Sequence, residues 1–128
     1  MTKEDIRNSG VLNPVGHIIL AFPDDDTASQ AAEALRDEGF KAEDILVYPA
    51  SEATERLRDR VQSASQAAGF GYEITQMRRY LALAEHGCGW LIVYAPEDDA
   101  AKRVAEVARR LHARCAVRYH RLVNEDLI

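Results

Sequence analysis

The chain has 128 residues, 47% hydrophobic and 29% charged, with a formal net charge of −5. That balance suits one globular domain and excludes a disordered or fibrous chain. A net acidic surface works against sequence-independent binding of nucleic acid or anionic lipid, so neither is expected as a partner.

The start, Met1 to Asn8, alternates charges and lacks the apolar core of a signal peptide. No apolar run approaches the ~20 residues of a membrane span, and the expected location is the cytoplasm. Cys88 and Cys115 are far apart and form no Cys-x-x-Cys pair. Neither a zinc clip nor a dithiol redox pair is indicated.

From Val15 the chain reads as a repeated unit. Ile18 to Arg36 aligns without a gap on Leu91 to Arg109. Eight of 19 positions are identical: Ile19 with Ile92, Pro23 with Pro96, Asp25 with Asp98, Asp26 with Asp99, Ala28 with Ala101, Ala32 with Ala105, Glu33 with Glu106 and Arg36 with Arg109. Each copy opens on a short β-branched apolar run that stops at a proline, as a strand does.

An acidic triplet then begins a helix, where carboxylates accept hydrogen bonds from free backbone N–H groups. A capping box between Thr27 and Gln30 is expected in the first helix, and Gly39 should end it. Each helix returns to a strand, Asp44 to Tyr48 in the first copy and Ala116 to Leu122 in the second.

Between the copies, two helical stripes are expected. Ala53, Leu57, Val61, Ala64 and Ala68 make one, and Ile74, Met77, Leu81 and Ala84 the other, with Gly69-Phe70-Gly71 breaking them.

Two strand-helix-strand halves predict an α+β, ferredoxin-like two-layer sandwich with a four-stranded antiparallel sheet in the order 4-1-3-2. The halves are 15–50 and 88–123, and 51–86 is a helical insertion in place of the usual hairpin, all in a single domain, 1–128. Alternation sorts Ile18, Leu20, Phe22, Leu91, Val93 and Ala95 onto the face beneath the helices. The other face carries His17, Ile19, Ala21, Trp90, Ile92 and Tyr94, joined by Arg118 and His120 if Val117 and Tyr119 point inward. So large an amphipathic face needs a cover. The candidates are a partner subunit in a homodimer with Trp90, Ile92, Tyr94 and Ile19 near its centre and His17, Arg118 and His120 toward its rim, the inserted helices, or a bound small molecule.

The stretch Val15 to Tyr48, with its acidic turn, Gly39-Phe40 and Glu43-Asp44-Ile45, resembles the heat-induced general-stress-protein family. So do Tyr80 with Gly87 and Leu91-Ile92-Val93, and the ending Glu125-Asp126-Leu127. The resemblance implies a small stress-associated bacterial protein. It carries over no catalytic residues.

Other constellations have ordinary readings. The acidic triplets are accounted for by helix capping. His86-Gly87-Cys88-Gly89 holds a nucleophile and a base, but a Cys-His pair needs its side chains within hydrogen-bond reach, which this spacing does not by itself provide. His17 and His120 lack a third metal ligand. Arg109, Arg110, Arg114, Arg118 and Arg121 gather where a helix C-terminus favours positive charge. No catalytic residue, metal or cofactor is expected. The sequence reads as a non-enzymatic interaction or regulatory protein, with a small-molecule-sensing module as the alternative.

Overall fold

The computed structural model describes residues 15–65, 71–121 and 123–128. In chain order it contains β1 (His17–Phe22), α1 (Asp25–Asp37), a short 3-10 turn (Ala42–Asp44), β2 (Ile45–Tyr48) and α2 (Ala50–Ser65). Then come α3 (Gly71–Glu85), β3 (Gly89–Tyr94), α4 (Asp98–Arg110), β4 (Cys115–Tyr119) and β5 (Asn124–Asp126). The expectations for the N-terminal segment before Val15, for the Gly69-Phe70 break and for Leu122 lie outside the described residues.

The fold is α+β, and its sheet is antiparallel with the order β2-β3-β1-β4-β5. The expected count of four strands is corrected to five: β5 adds to the β4 edge. Beyond Tyr119 the chain reverses instead of continuing as strand. His120 N–H donates to Val123 O at 2.9 Å, and Leu127 N–H returns to Ala116 O at 2.8 Å. Asn124-Glu125-Asp126 carries no apolar alternation, so backbone pairing alone makes it a strand.

Caps fix the helix ends. Asp24, not Thr27, caps α1, with its carboxylate accepting from Thr27 N–H at 2.7 Å. Hydrogen bonding from the Thr27 side chain, and then from its backbone N–H, holds the Asp24 pKa below the usual carboxylate value. Asp25 reaches across instead and accepts from Ala50 N–H at 2.8 Å, tying the start of α2 to the start of α1.

At its other end α1 closes with Gly39 N–H to Arg36 O and Phe40 N–H to Leu35 O, and Gly39 takes the left-handed position at φ 101°. α4 closes in the same way through Ala108 and Arg109, but with His112 at φ 60°. A non-glycine residue there carries local strain.

Two apolar layers result. Ile18, Leu20, Phe22, Leu91, Val93 and Ala95 pack with Ala28, Ala31, Leu35, Val104 and Ala108 from α1 and α4, on the face expected from alternation. On the opposite face, Ile19, Ala21, Trp90, Cys115, Val117 and Tyr119 pack with Ala53 and Leu57 of α2 and Tyr80 and Ala84 of α3. The inserted helices therefore cover that face.

Layer spacing depends on Gly89. A Cβ built there would stand 2.8 Å from Asp24 O and from Asp25 Cα, and 2.9 Å from Ala28 Cβ. Two of those neighbours are backbone and have little room to yield. Gly89→Ala is expected to destabilise the fold by about 1–3 kcal/mol, the usual cost of overpacking. Equilibrium urea unfolding checks this, and an unchanged midpoint would show that α1 does not seat against β3 as described.

Candidate functional site

The cross-strand pairs decide which predicted residues meet. His17 stands opposite Tyr94, Ile19 opposite Ile92 and Ala21 opposite Trp90 across β1 and β3. These six share a face, as expected. Arg118 does not join them. It pairs with Ile18, while Val117 pairs with Ile19, so β4 presents Cys115, Val117 and Tyr119 to the covered face.

The expectation for Arg118 and His120 is thereby corrected. β4 is apolar at alternate positions from Cys115 to Tyr119, and that stripe meets the inserted helices. Arg118 lies on the α1–α4 face, bonded to Asp98 Oδ1 at 2.9 Å and to Pro96 O at 3.1 Å. His120 sits past the end of β4, where its Nε2 meets Glu125 Oε1 at 2.9 Å. Among the described residues, no group of three or more His, Cys, Asp or Glu could hold a metal.

Burial along the face is graded. His17, Ile19 and Trp90 are buried, whereas Ile92, Tyr94, Leu46 and Tyr48 are only half-buried. His17 packs its ring 4.9 Å from that of Tyr94. Of the expected dimer centre of Trp90, Ile92, Tyr94 and Ile19, the placement of Trp90 and Ile19 is corrected, because the chain's own α2 and α3 bury both residues. The apolar surface left open is a strip along β2 and β3.

Beneath α3 lies a polar cluster absent from the sequence expectation. Tyr80 Oη and Tyr119 Oη share a 2.7 Å hydrogen bond, and Gln76 Nε2 donates to Tyr80 Oη at 2.9 Å. The Tyr80 ring meets Trp90 edge-on, 5.4 Å between centroids. Burial, reinforced by Tyr119, pushes the Tyr80 phenol pKa far above its ordinary value, so Tyr80 stays neutral. The sequence held one signal: Tyr80 follows Met77 by three and precedes Ala84 by four, which places all three on one helical stripe.

Trp90 Nε1 is buried with no hydrogen-bond partner among the described residues. Leaving such a donor unpaired costs about 1–3 kcal/mol.

The remaining candidates have structural roles. His86 turns its Nδ1 to Ala82 O at 2.7 Å. Cys88 and Cys115 are free and buried. Burial raises both thiols, Cys115 to about 11, which opposes the thiolate that a nucleophile needs. In the basic concentration, Arg109 donates to Leu127 O at 3.0 Å and Arg114 to His112 O at 3.4 Å. The second acidic triplet gives α4 no side-chain cap; Asp98 meets Arg118 instead. No described helix is long and apolar enough to cross a membrane.

Comparison with protein-family models, curated proteins and solved structures returns no match.

The raised Cys115 pKa has a stability consequence. A thiol that holds its proton more tightly when folded contributes stability in full below the unfolded thiol pKa of ~8.5. That contribution is lost as pH rises through about 11. The urea midpoint should fall over this window, and Cys115→Ala should fall less steeply. Parallel slopes for the two proteins would show that the buried thiol is not the group responsible.

Proposed function

We propose that this chain is a non-enzymatic interaction or regulatory protein of ferredoxin-like topology, acting as a homodimer. The stress-associated role implied by its resemblance fits that reading. One observation carries it: Leu46 and Tyr48 of β2, with Ile92 and Tyr94 of β3, stay half-buried beside a face otherwise closed by α2 and α3. Aromatic and branched side chains on a rigid sheet offer apolar area at small entropic cost, which suits an association surface. His17 and Ile19 flank the strip on β1, opposite Tyr94 and Ile92.

A second reading, small-molecule sensing, is favoured by the unpaired Trp90 Nε1 in the layer between the sheet and the inserted helices. Sites of this kind are mostly apolar with a few placed polar groups.

The first reading is tested by light scattering over a dilution series. The wild type should show a dimer mass, and Ile92→Glu with Tyr94→Glu should show a monomer at the same concentration. Truncating one central anchor to Ala should weaken association by about 2 kcal/mol or more, roughly thirtyfold. A wild type that stays monomeric at high concentration would end the dimer proposal and leave the sensing reading in place.

A further inference from the structure

The two edges of the sheet are guarded differently. β5 closes one of them with Asn124-Glu125-Asp126, whose exposed carboxylates repel a second copy of the same strand. β2 forms the other edge, and among the described residues no strand pairs with its outer side. Its sequence, Ile45-Leu46-Val47-Tyr48, has neither the charge nor the proline that blunts an edge, and its pairing with β3 runs without a bulge. Val47 is 45% exposed, and of the large hydrophobic side chains exposed among the described residues it alone lies in a strand. By alternation it stands on the α1–α4 side with Ile45, away from the strip of Leu46 and Tyr48.

We propose that the outer edge of β2 pairs with β2 of a second copy, antiparallel across a twofold axis, so that the two sheets join into one. This rests on the homodimer reading and states how the copies meet. Residues directly opposite in an antiparallel pair share a face, so Ile45 meets Val47 of the second copy and Leu46 meets Leu46. Shifting the register one way would set Pro49, which has no N–H, opposite Ile45; shifting it the other way would draw the 3-10 turn Ala42–Asp44 into the ladder. Charge favours the same direction. Glu43 and Asp44 stand at the start of β2, and at its end Arg56 lies over the Tyr48 ring, 5.2 Å from the centroid, while also meeting Glu52 at 3.1 Å. Antiparallel pairing sets the acids of each copy against the guanidinium end of the other, whereas parallel pairing would stack acid on acid. Such a self-complementary patch closes on a twofold axis. Four residues of edge fall short of the about 1,200 Å² that a stable interface buries. The pairing therefore recruits the strip of Leu46, Tyr48, Ile92 and Tyr94, which it sets side by side with the strip of the second copy.

The test uses the full chain and light scattering over a dilution series. Val47→Glu adds a carboxylate on the side away from the strip, diagonal to Glu43 of the second copy. Val47 is exposed, so the fold should survive the change, which an unaltered urea midpoint checks. The expected result is a wild-type dimer whose dissociation constant rises about tenfold or more in Val47→Glu and holds in Val47→Thr, which keeps the β-branch. A wild-type dimer that Val47→Glu leaves unchanged overturns the edge pairing and leaves the homodimer reading standing. A monomeric wild type overturns both. A second measurement needs no variant: the β2 amides that face outward should exchange more slowly in the dimer than in the diluted chain. Equal rates on either side of the dissociation constant overturn the pairing.

Discussion

The fold depends on a central strand that is apolar on both sides. Every residue of β1 from His17 to Phe22 is buried, and its neighbours β3 and β4 are nearly so. A strand of this kind cannot leave either face to water, because each exposed apolar side chain would lose roughly 1.5–3 kcal/mol of burial. One cover comes from α1 and α4, the helices that follow β1 and β3. The other must come from somewhere else, and the α2–α3 pair between β2 and β3 supplies it. The inserted segment is thus the second half of the core.

Much of this was legible in the sequence. Alternation in Ile18 to Phe22 and Leu91 to Ala95 needs no tertiary information, since a strand has a period of two. It sorted the faces of β1 and β3 correctly. The fourth strand was harder to place. Cys115, Ala116 and Val117 are all small or apolar, so both phases of β4 satisfy the alternation. A change of phase moves every side chain to the opposite face, and that choice decided whether Arg118 stood beside Trp90 or beside Asp98.

β5 was illegible because its three polar residues form a strand only through the edge of β4. The need for a cover over Trp90 could be read, but its source could not, because a partner, a ligand and a local helix pair all satisfy the same apolar pattern. The Tyr80–Tyr119 bond joins residues 39 positions apart. A contact of that kind depends on the path of the chain and leaves no local periodicity. The unpaired Trp90 donor is equally remote from the sequence, for indole N–H groups ordinarily find an acceptor and only geometry reveals one that has not.

The two covers are held differently. α1 and α4 bring Ala28, Ala31, Leu35, Val104, Val107 and Ala108 to one layer, whereas among the described residues α2 brings Ala53 and Leu57, and α3 Tyr80 and Ala84, to the other. Cooperative opening follows such differences in buried apolar contact, with weakly anchored elements released at lower free energy than the core strands. The sheet is therefore a wall between a layer that opens only with the whole molecule and one that can lift by itself. Amide exchange in α2 should record this separate motion, while the amides of β1 exchange only through global unfolding.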